Sequence, residues 1–477
     1  MTTHNMAIDL KTLTIKKAHT AMQSGEYTCH DLVQTYLDEI KKRNPEINAY
    51  LTIFDDAVEQ ADLVDNKIKA GEEIGLLEGI PMAIKDLILI DGKRATGASK
   101  ILENYVATYD ATVIKKLKEA GVIFLGKTNT DEFAMGGSTE NSAFGVTKNP
   151  HDLERVAGGS SGGSTAAVAG KMALAALGSD TGGSIREPSS FCGTVGLKPT
   201  YGAVSRFGAM AMTSSLEQIA PVAGNVEDVE IVFKAIRGQD SLDATSTDGE
   251  KFDPIPTDYK FKIGVPRSFV SAGLKPEVEK NFNDSIEKLK DLGCEIVDIE
   301  LPMLKYSLAC YYITVFAEVS ANMARLDGMR YGLHIDGASG IDDYFKSRGA
   351  GFGPEVRRRI MLGTYVLSAG YYDAYYSKAT KVRKAIREDY LRAFKDVDVI
   401  LTPTAPSPAF KIGEKVSDPL QMYLEDIFTV PINLAGLPAL AIPSGETESG
   451  LPLGIQFTAS HWREDKLIAL GKKFEEK

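Results

Sequence analysis

Residues 157–170 read AGGSSGGSTAAVAG. Four glycines and three serines fill the seven positions from Gly158 to Ser164, and an alanine-rich run follows. A shorter stretch of the same kind, SDTGGSIR, occupies residues 179–186. One Gly-Gly-Ser by itself reads as a turn, because glycine tolerates positive φ. Two such loops, each after an apparent strand and together flanking one small-residue helix, imply that backbone must approach something closely. A phosphate loop is excluded, since it needs a lysine before its Ser or Thr and Gly163 stands before Ser164. A nucleophile elbow, G-x-S-x-G, fits in two frames, centred on Ser160 and on Ser161. That fold orders its triad Ser, Asp or Glu, His, and Asp426 with His461 satisfies the order. His461, however, stands in TASHWRED, a polar segment that reads as the start of a surface helix. A third kind of site uses no histidine: a serine is activated by a neutral lysine. Lys85 interrupts the apolar run GIPMAIKDL, where desolvation would lower its pKa and let it accept a proton. The plainer alternative is a lysine that snorkels to the surface.

Outward from these loops the chain alternates. Residues 1 to about 75 read as helices: CHDLVQTYLDEIKKR sets Leu32, Tyr36 and Ile40 on one face, and DAVEQADLVDNKIKAG ends at a glycine. From about residue 76, GIPMAIKDLI reads as a buried strand, ATVIKKLKEAG as a helix closed by Gly121, and VIFLGKTN as the next strand. Strand, helix and strand in alternation predict an α/β sheet with helices on its faces. STAAVAGKMALAAL reads as one small-residue helix. KIGVPRSF, KPEVEKNFNDSIEKLKDLG and CEIVDIELP form another strand–helix–strand unit, and long helical patterns run on to RAF at residue 394. DVILTPTAPSPAF and PINLAGLPALAIPSG read as buried strands ending in Pro-rich loops. The expected organisation is one domain over 1–477. It comprises a helical layer (1–75), a catalytic core (76–235), an additional strand–helix–strand and helical part (236–400), and a return to the core (401–477).

Composition narrows the function. The 477 residues are 43% hydrophobic and 25% charged, with a net charge of −11, so a grip on a phosphate backbone is not expected of this chain alone. The basic runs VRRRIM (356–361) and KATKVRKAIR (378–387) read as solvated helix faces. Four scattered cysteines without a C-x-x-C pair indicate reduced thiols and a cytoplasmic setting. Six scattered histidines show no metal-ligand spacing, so no metal is expected. No apolar run is long enough to span a membrane, and the first 17 residues lack a signal-peptide core.

Three motifs in register, Lys85 in GIPMAIKDL, the loop GGSSGGS and the loop GSDTGGSIR, resemble those of the amidase signature family. The spacing of 75 residues from Lys85 to Ser160 and 24 from Ser160 to Ser184 fits as well, and the resemblance covers nearly the whole chain. It implies a large mixed central β-sheet sandwiched between α-helices. It also implies a Ser–Ser–Lys triad, with Ser184 as nucleophile, Ser160 as bridging serine and Lys85 as base. Backbone N–H groups along Thr181, Gly182, Gly183 and Ser184 would form the oxyanion hole, since paired glycines let backbone come close. Arg186 reads as a structural pin. Two positions depart from the pattern: Glu187 stands where the family has Gln, and Val156-Ala157 where a proline is expected.

Within the family, GGSTENSAFG (136–145), YYITVFAEVSANMARLDGMRYG (311–332), GFGPEVRRRIMLGTYVLSAGYYDAYY (351–376) and YLEDIFTVPINLAGLPA (423–439) are similar to the glutaminase branch that serves tRNA-dependent amidotransferases. In that branch an Arg holds the α-carboxylate of free glutamine, an Asp its α-amine, and a Tyr lies nearby. These roles would fall on Arg359, Asp426 and Tyr311, with Gly137 and Ser138 as further substrate contacts. An Arg fork suits a carboxylate and an Asp suits an ammonium. Residues alone do not separate Arg359 from Arg357 or Arg358; successive helical positions point about 100° apart, so at most one faces a pocket squarely. The resemblance implies ammonia handed to a larger tRNA-binding subunit with a small third subunit. It also implies ATP and Mg²⁺ used in that partner, tRNA met mainly through it, and no cofactor in this chain. A free-standing amidase of other small amides would keep the triad without the Arg359–Asp426 clamp. A catalytically silent interaction subunit is the remaining class.

Overall fold

A computed structural model describes residues 8–251, 254–271, 273–416 and 418–476. The opening seven residues, part of the segment read as lacking a signal-peptide core, lie outside the described residues. The strands are β1 (Tyr50–Ile53), β2 (Pro81–Lys85), β3 (Ile123–Thr128), β4 (Lys148–Asn149), β5 (Asp152–Val156), β6 (Ala175–Asp180), β7 (Val195–Lys198), β8 (Gln218–Ala223), β9 (Lys262–Val265), β10 (Glu295–Asp298), β11 (Val399–Pro403), β12 (Ala439–Glu446) and β13 (Pro452–Ala459). Eleven of them form one mixed sheet in the order β1-β3-β2-β6-β8-β7-β12-β13-β11-β9-β10, while β4 and β5 pair apart. The β2–β3, β2–β6, β9–β10 and β9–β11 pairs are parallel and the other neighbours are antiparallel. Strands β2, β3, β6, β7, β8 and β11 are buried along their whole length. Burial of both faces requires helices on each side, which is the sandwich expected from the motifs. The helices Gly162–Ala169, Val226–Ile236 and Glu464–Glu475 are among those that pack on it.

Three local readings change. The run STAAVAGKMALAAL is not one helix: the helix Gly162–Ala169 stops at Gly170, Lys171 takes φ +58°, and AALGSD becomes β6. Pairing with β2 and β8 overrides the helical preference of alanine, a weak prior. PINLAG is not a strand but lies in the helix Val430–Ala435, which has Pro431 in its first turn and Gly436 at φ +74° beyond its end. Those are a helix's start and stop signals, and only the following residues form β12. Finally, β1 interrupts the segment read as all-helical, because Asn48 closes the helix Cys29–Ile47 in the left-handed region and the chain then pairs with β3.

This topology places the site. Strands β2 and β6 are parallel neighbours, so their carboxyl ends, Lys85 and Asp180, emerge at the same edge of the sheet. Loops beyond the carboxyl ends of parallel strands are where α/β folds build ligand sites. A second apolar cluster, including Val315, Val319, Val356 and Ile386, joins the helices Ser307–Asn322, Pro354–Leu367 and Lys378–Ala393 beside that edge. Gly363 lets the first two helices approach closely, since a methyl group there would collide with the Phe316 carbonyl. The four cysteines are free and buried. Among the described residues no helix is long and apolar enough to cross a membrane. A Gly363→Val substitution is expected to cost about 1–3 kcal/mol through overpacking. The check is a lower urea midpoint at unchanged slope; an unchanged midpoint would contradict the close approach.

Candidate active site

Lys85 ends β2 and is fully buried, which removes the snorkelling alternative. Its Nζ donates to Ser160 Oγ at 2.8 Å, Ser161 Oγ at 2.8 Å and Ser179 Oγ at 3.0 Å. Burial pushes its ammonium down to about 7, while Asp131, Glu217 and Asp180 partly oppose that shift. Near neutral pH a large fraction is therefore the free amine, able to accept a proton. The two adjacent serines differ. Ser161 Oγ donates to the Ser179 carbonyl at 3.0 Å and accepts from Ser179 N at 3.2 Å, so its hydroxyl is committed. Ser160 Oγ is bound by Lys85 alone among the described residues.

The glycines bring backbone together. Gly158 has φ +81°, the Gly159–Ser160 peptide is cis, and a methyl at Gly159 would collide with Asp131 and with the Gly137–Ser138 backbone. In the second loop Gly183 takes φ +138°, and a side chain at Gly182 would strike the Tyr311 hydroxyl. The loops are joined where Ser161 N donates to the Ser184 carbonyl at 3.1 Å. Ser184 is nearly buried, and among the described residues its Oγ has no hydrogen bond; the link from Ser160 to Ser184 is not closed here. Of the four N–H groups expected in the oxyanion hole, that of Gly183 donates to Asp180 Oδ1 at 3.0 Å. Those of Thr181, Gly182 and Ser184 have no protein acceptor among the described residues.

Asp180 and Arg186 hold this turn rigid. Arg186 donates to both Asp180 oxygens, at 3.0 and 3.1 Å, and both side chains are fully buried. Burial alone would raise the Asp180 carboxyl, but the guanidinium outweighs it and holds it at about 2. Arg186 also donates to Gln456, Asn433 and the Thr429 carbonyl, so it is a pin and not a substrate contact.

Beside the loops lies a cavity of about 160 Å³ whose lining includes Gly137, Ser138, Tyr312, Arg359, Tyr423 and Asp426. Of the three consecutive arginines only Arg359 is buried; Arg357 and Arg358 are exposed. Its Nε donates to Glu355 Oε1 at 2.8 Å, and its guanidinium lies 5.8 Å from the ring centres of both Tyr312 and Tyr423, which stack at 3.9 Å. Burial raises the Asp426 carboxyl to about 7, against the pull of Tyr312, whose hydroxyl donates to Oδ2 at 2.9 Å, and of Arg359. A bound ammonium would lower it again. Thr429 Oγ1 donates to the Gly182 carbonyl at 2.6 Å and to the Asp426 carbonyl at 3.1 Å, tying the cavity to the second loop. Gly137 and Ser138 form the wall between the cavity and Gly159. Tyr311 is not among the residues lining the cavity; its hydroxyl lies over Gly182. Sequence reasoning missed Tyr312, Tyr423 and Glu355. Glu355 had a readable signal, lying four residues before Arg359 on one helix. Larger clefts of about 670 and 730 Å³ lie elsewhere and include neither Arg359 nor Asp426.

His461 has no part in this arrangement. Its Nε2 bonds the Ala435 carbonyl at 3.0 Å, and burial pushes its imidazolium down to about 4. A buried lysine on a serine hydroxyl that has no other partner among the described residues, with a further serine among backbone N–H groups without acceptors, is the layout of lysine-dependent serine hydrolases. The chain belongs to the amidase signature family: the family model Amidase matches residues 31–468. It is 50% identical over 475 residues to the A subunit, number 2, of the glutamyl-tRNA(Gln) amidotransferase of Clostridium acetobutylicum, covering 98% of this chain and 99% of the relative. It is 52% identical over 476 residues to the A subunit of the glutamyl-tRNA(Gln) amidotransferase of Roseiflexus sp. (strain RS-1), covering 98% and 96%. The crystal structure of the corresponding A subunit from Thermotoga maritima is similar with a TM-score of 0.83 at 42% identity, covering 99% of this chain and 96% of that one. Replacing Arg186 by Met leaves the Asp180 carboxylate buried and unpaired, at an expected cost of about 3–5 kcal/mol. Urea unfolding measures it, and a loss under about 1 kcal/mol, the range of a surface pair, would contradict the pinning role.

Proposed function

We propose that this chain is the glutamine-hydrolysing subunit of a tRNA-dependent amidotransferase and supplies ammonia for converting Glu-tRNA(Gln), Asp-tRNA(Asn) or both to the amidated forms. The observation that carries the reading is the cavity lined by Arg359 and Asp426 and tied by Thr429 to the Ser184 loop. A planar guanidinium and a carboxylate in the lining of one small cavity match the two charged groups of a free amino acid. The full-length likeness to the A subunits of glutamyl-tRNA(Gln) amidotransferases supports it.

The reaction follows from the groups present. Ser184 Oγ attacks the side-chain amide carbonyl of glutamine as its proton passes through Ser160 to neutral Lys85. The carbonyl oxygen, now negative, is met by the N–H groups of Thr181, Gly182 and Ser184, which have no protein acceptor among the described residues. Lys85 returns the proton through Ser160 to the leaving nitrogen, and ammonia departs. Water then attacks the acyl ester by the same route, releasing glutamate and restoring Ser184. Ser184 must swing into hydrogen-bond reach of Ser160 for the relay, and such contacts often tighten only with substrate bound. Ammonia passes to a larger tRNA-binding partner that uses ATP and Mg²⁺, with a small third subunit completing the assembly. The acidic charge of this chain agrees with leaving the tRNA to that partner.

Lys85→Ala is expected to lower kcat for glutamine hydrolysis in the assembled enzyme by about 10²–10⁴, whereas His461→Ala leaves it unchanged. Because Lys85 works as the free amine, wild-type kcat should rise with pH through about 7. Loss of activity in His461→Ala with retention in Lys85→Ala would overturn the mechanism. Asp426→Ala should raise KM for glutamine by on the order of 30-fold or more, corresponding to about 2 kcal/mol for an unpaired buried ammonium. An unchanged KM would favour a free-standing amidase of other small amides.

A further inference from the structure

Glu187 lies three residues beyond Ser184, in the first turn of the helix Arg186–Cys192, and it is fully buried. It does not face solvent. Its Oε2 accepts from Gly159 N at 2.9 Å, and Gly158 packs so tightly on this oxygen that a Cβ there would stand 2.7 Å away. Its Oε1 has no hydrogen-bond partner among the described residues. This carboxyl therefore grips the two residues immediately before Ser160.

The groups facing it are acidic. Asp426 and Glu425 approach from the turn before the helix Val430–Ala435, Asp131 from the loop after β3, and the Cys192 thiol from its own helix. Each of the three acids has its own partners: Tyr312 on Asp426, Lys415 on Glu425, and Thr139 and Asn141 on Asp131. No lysine or arginine pairs with Glu187 among the described residues. An ionised carboxylate here would be a buried charge with one N–H for compensation and acidic neighbours, and such a group takes up a proton instead. Burial first, then Asp426, pushes this carboxyl well above the usual range.

We propose that Glu187 is a positioning residue of this site, a neutral carboxylic acid that copies the shape of an amide side chain and holds Gly158–Gly159 so that Ser160 meets Lys85. The kinetic part rests on Ser160 serving as the proton relay; the protonation part does not. Because the folded carboxyl binds its proton more tightly than the unfolded one, its contribution to stability is fully present below about pH 4.3 and is lost as pH rises toward the folded value.

The test compares the full-length wild type with Glu187→Gln and Glu187→Ala. In urea unfolding from about pH 5 to about pH 9, the Gln variant should gain stability relative to wild type as pH rises. A constant gap, or a Gln variant that becomes relatively weaker with pH, overturns the neutral acid. In glutamine hydrolysis by the assembled enzyme, Glu187→Gln should keep kcat within about 2-fold at neutral pH and hold it at alkaline pH where wild type declines. Glu187→Ala should lose on the order of 10- to 100-fold in kcat with KM unchanged. An Ala variant equal to wild type, or a Gln variant impaired as much as Ala, overturns the positioning role. Should Glu187→Ala not fold, the Gln and wild-type alkaline limbs decide it. Should wild type hydrolyse no glutamine, the proposed function fails, and the urea series still decides the state of Glu187.

Discussion

The site depends on an amine buried without a carboxylate bonded to it. Lys85 has three serine hydroxyls as its hydrogen-bond partners. Hydroxyls both donate and accept, so they fit the ammonium and the free amine alike. A direct carboxylate partner would have fixed the charged form and abolished the base. Two of the acids near Lys85 are occupied instead, Asp180 by Arg186 and Asp131 by Thr139 and Asn141, while Glu217 accepts only from Met212 N among the described residues. The sheet provides this setting, because β2 is buried along its whole length and carries Lys85 at its end fully out of water.

From Lys85 the constraints run outward in one connected set of hydrogen bonds. Ser161 ties the first loop to the second through the Ser184 carbonyl. Asp180 and Arg186 freeze the second loop, and Arg186 reaches the Thr429 carbonyl. Thr429 then joins the Gly182 carbonyl to the turn bearing Asp426. The Ser184 loop and the cavity bearing Arg359 and Asp426 are thus held by the same few residues, so under the proposed function a glutamine anchored at Arg359 and Asp426 would present its amide to a fixed place. Such preorganisation is how binding energy at a remote anchor becomes rate at the reacting bond.

Much of this was legible in the residues. The alternation of strands and helices announced an α/β sheet, and Lys85 inside an apolar run left a desolvated base or a snorkelling side chain, which its complete burial decides. The loop that looked most like a nucleophile site supplies Ser160 and the locked Ser161, and the plainer TGGS supplies Ser184. What stayed hidden was what only tertiary contact decides. Alanine-rich AALGSD became a strand because β2 and β8 flank it. Arg359 separated from its neighbours only once one face of its helix was buried. The resemblance pointed to Tyr311, and only the turn of the helix showed that its neighbour Tyr312 meets Asp426 while Tyr311 lies over Gly182. The state of Glu187 depends on acids from distant segments, which no local pattern contains.

The central claim is that Lys85 rests near neutrality as a free amine, and it can be observed without turnover. Lysine side chains labelled with ¹³C at Cε can be followed by NMR through a pH titration, with the Lys85 signal assigned by its loss in Lys85→Arg. The predicted result is a signal that titrates at about 7. A Lys85 signal that titrates near the ordinary lysine value of about 10.4 would contradict it.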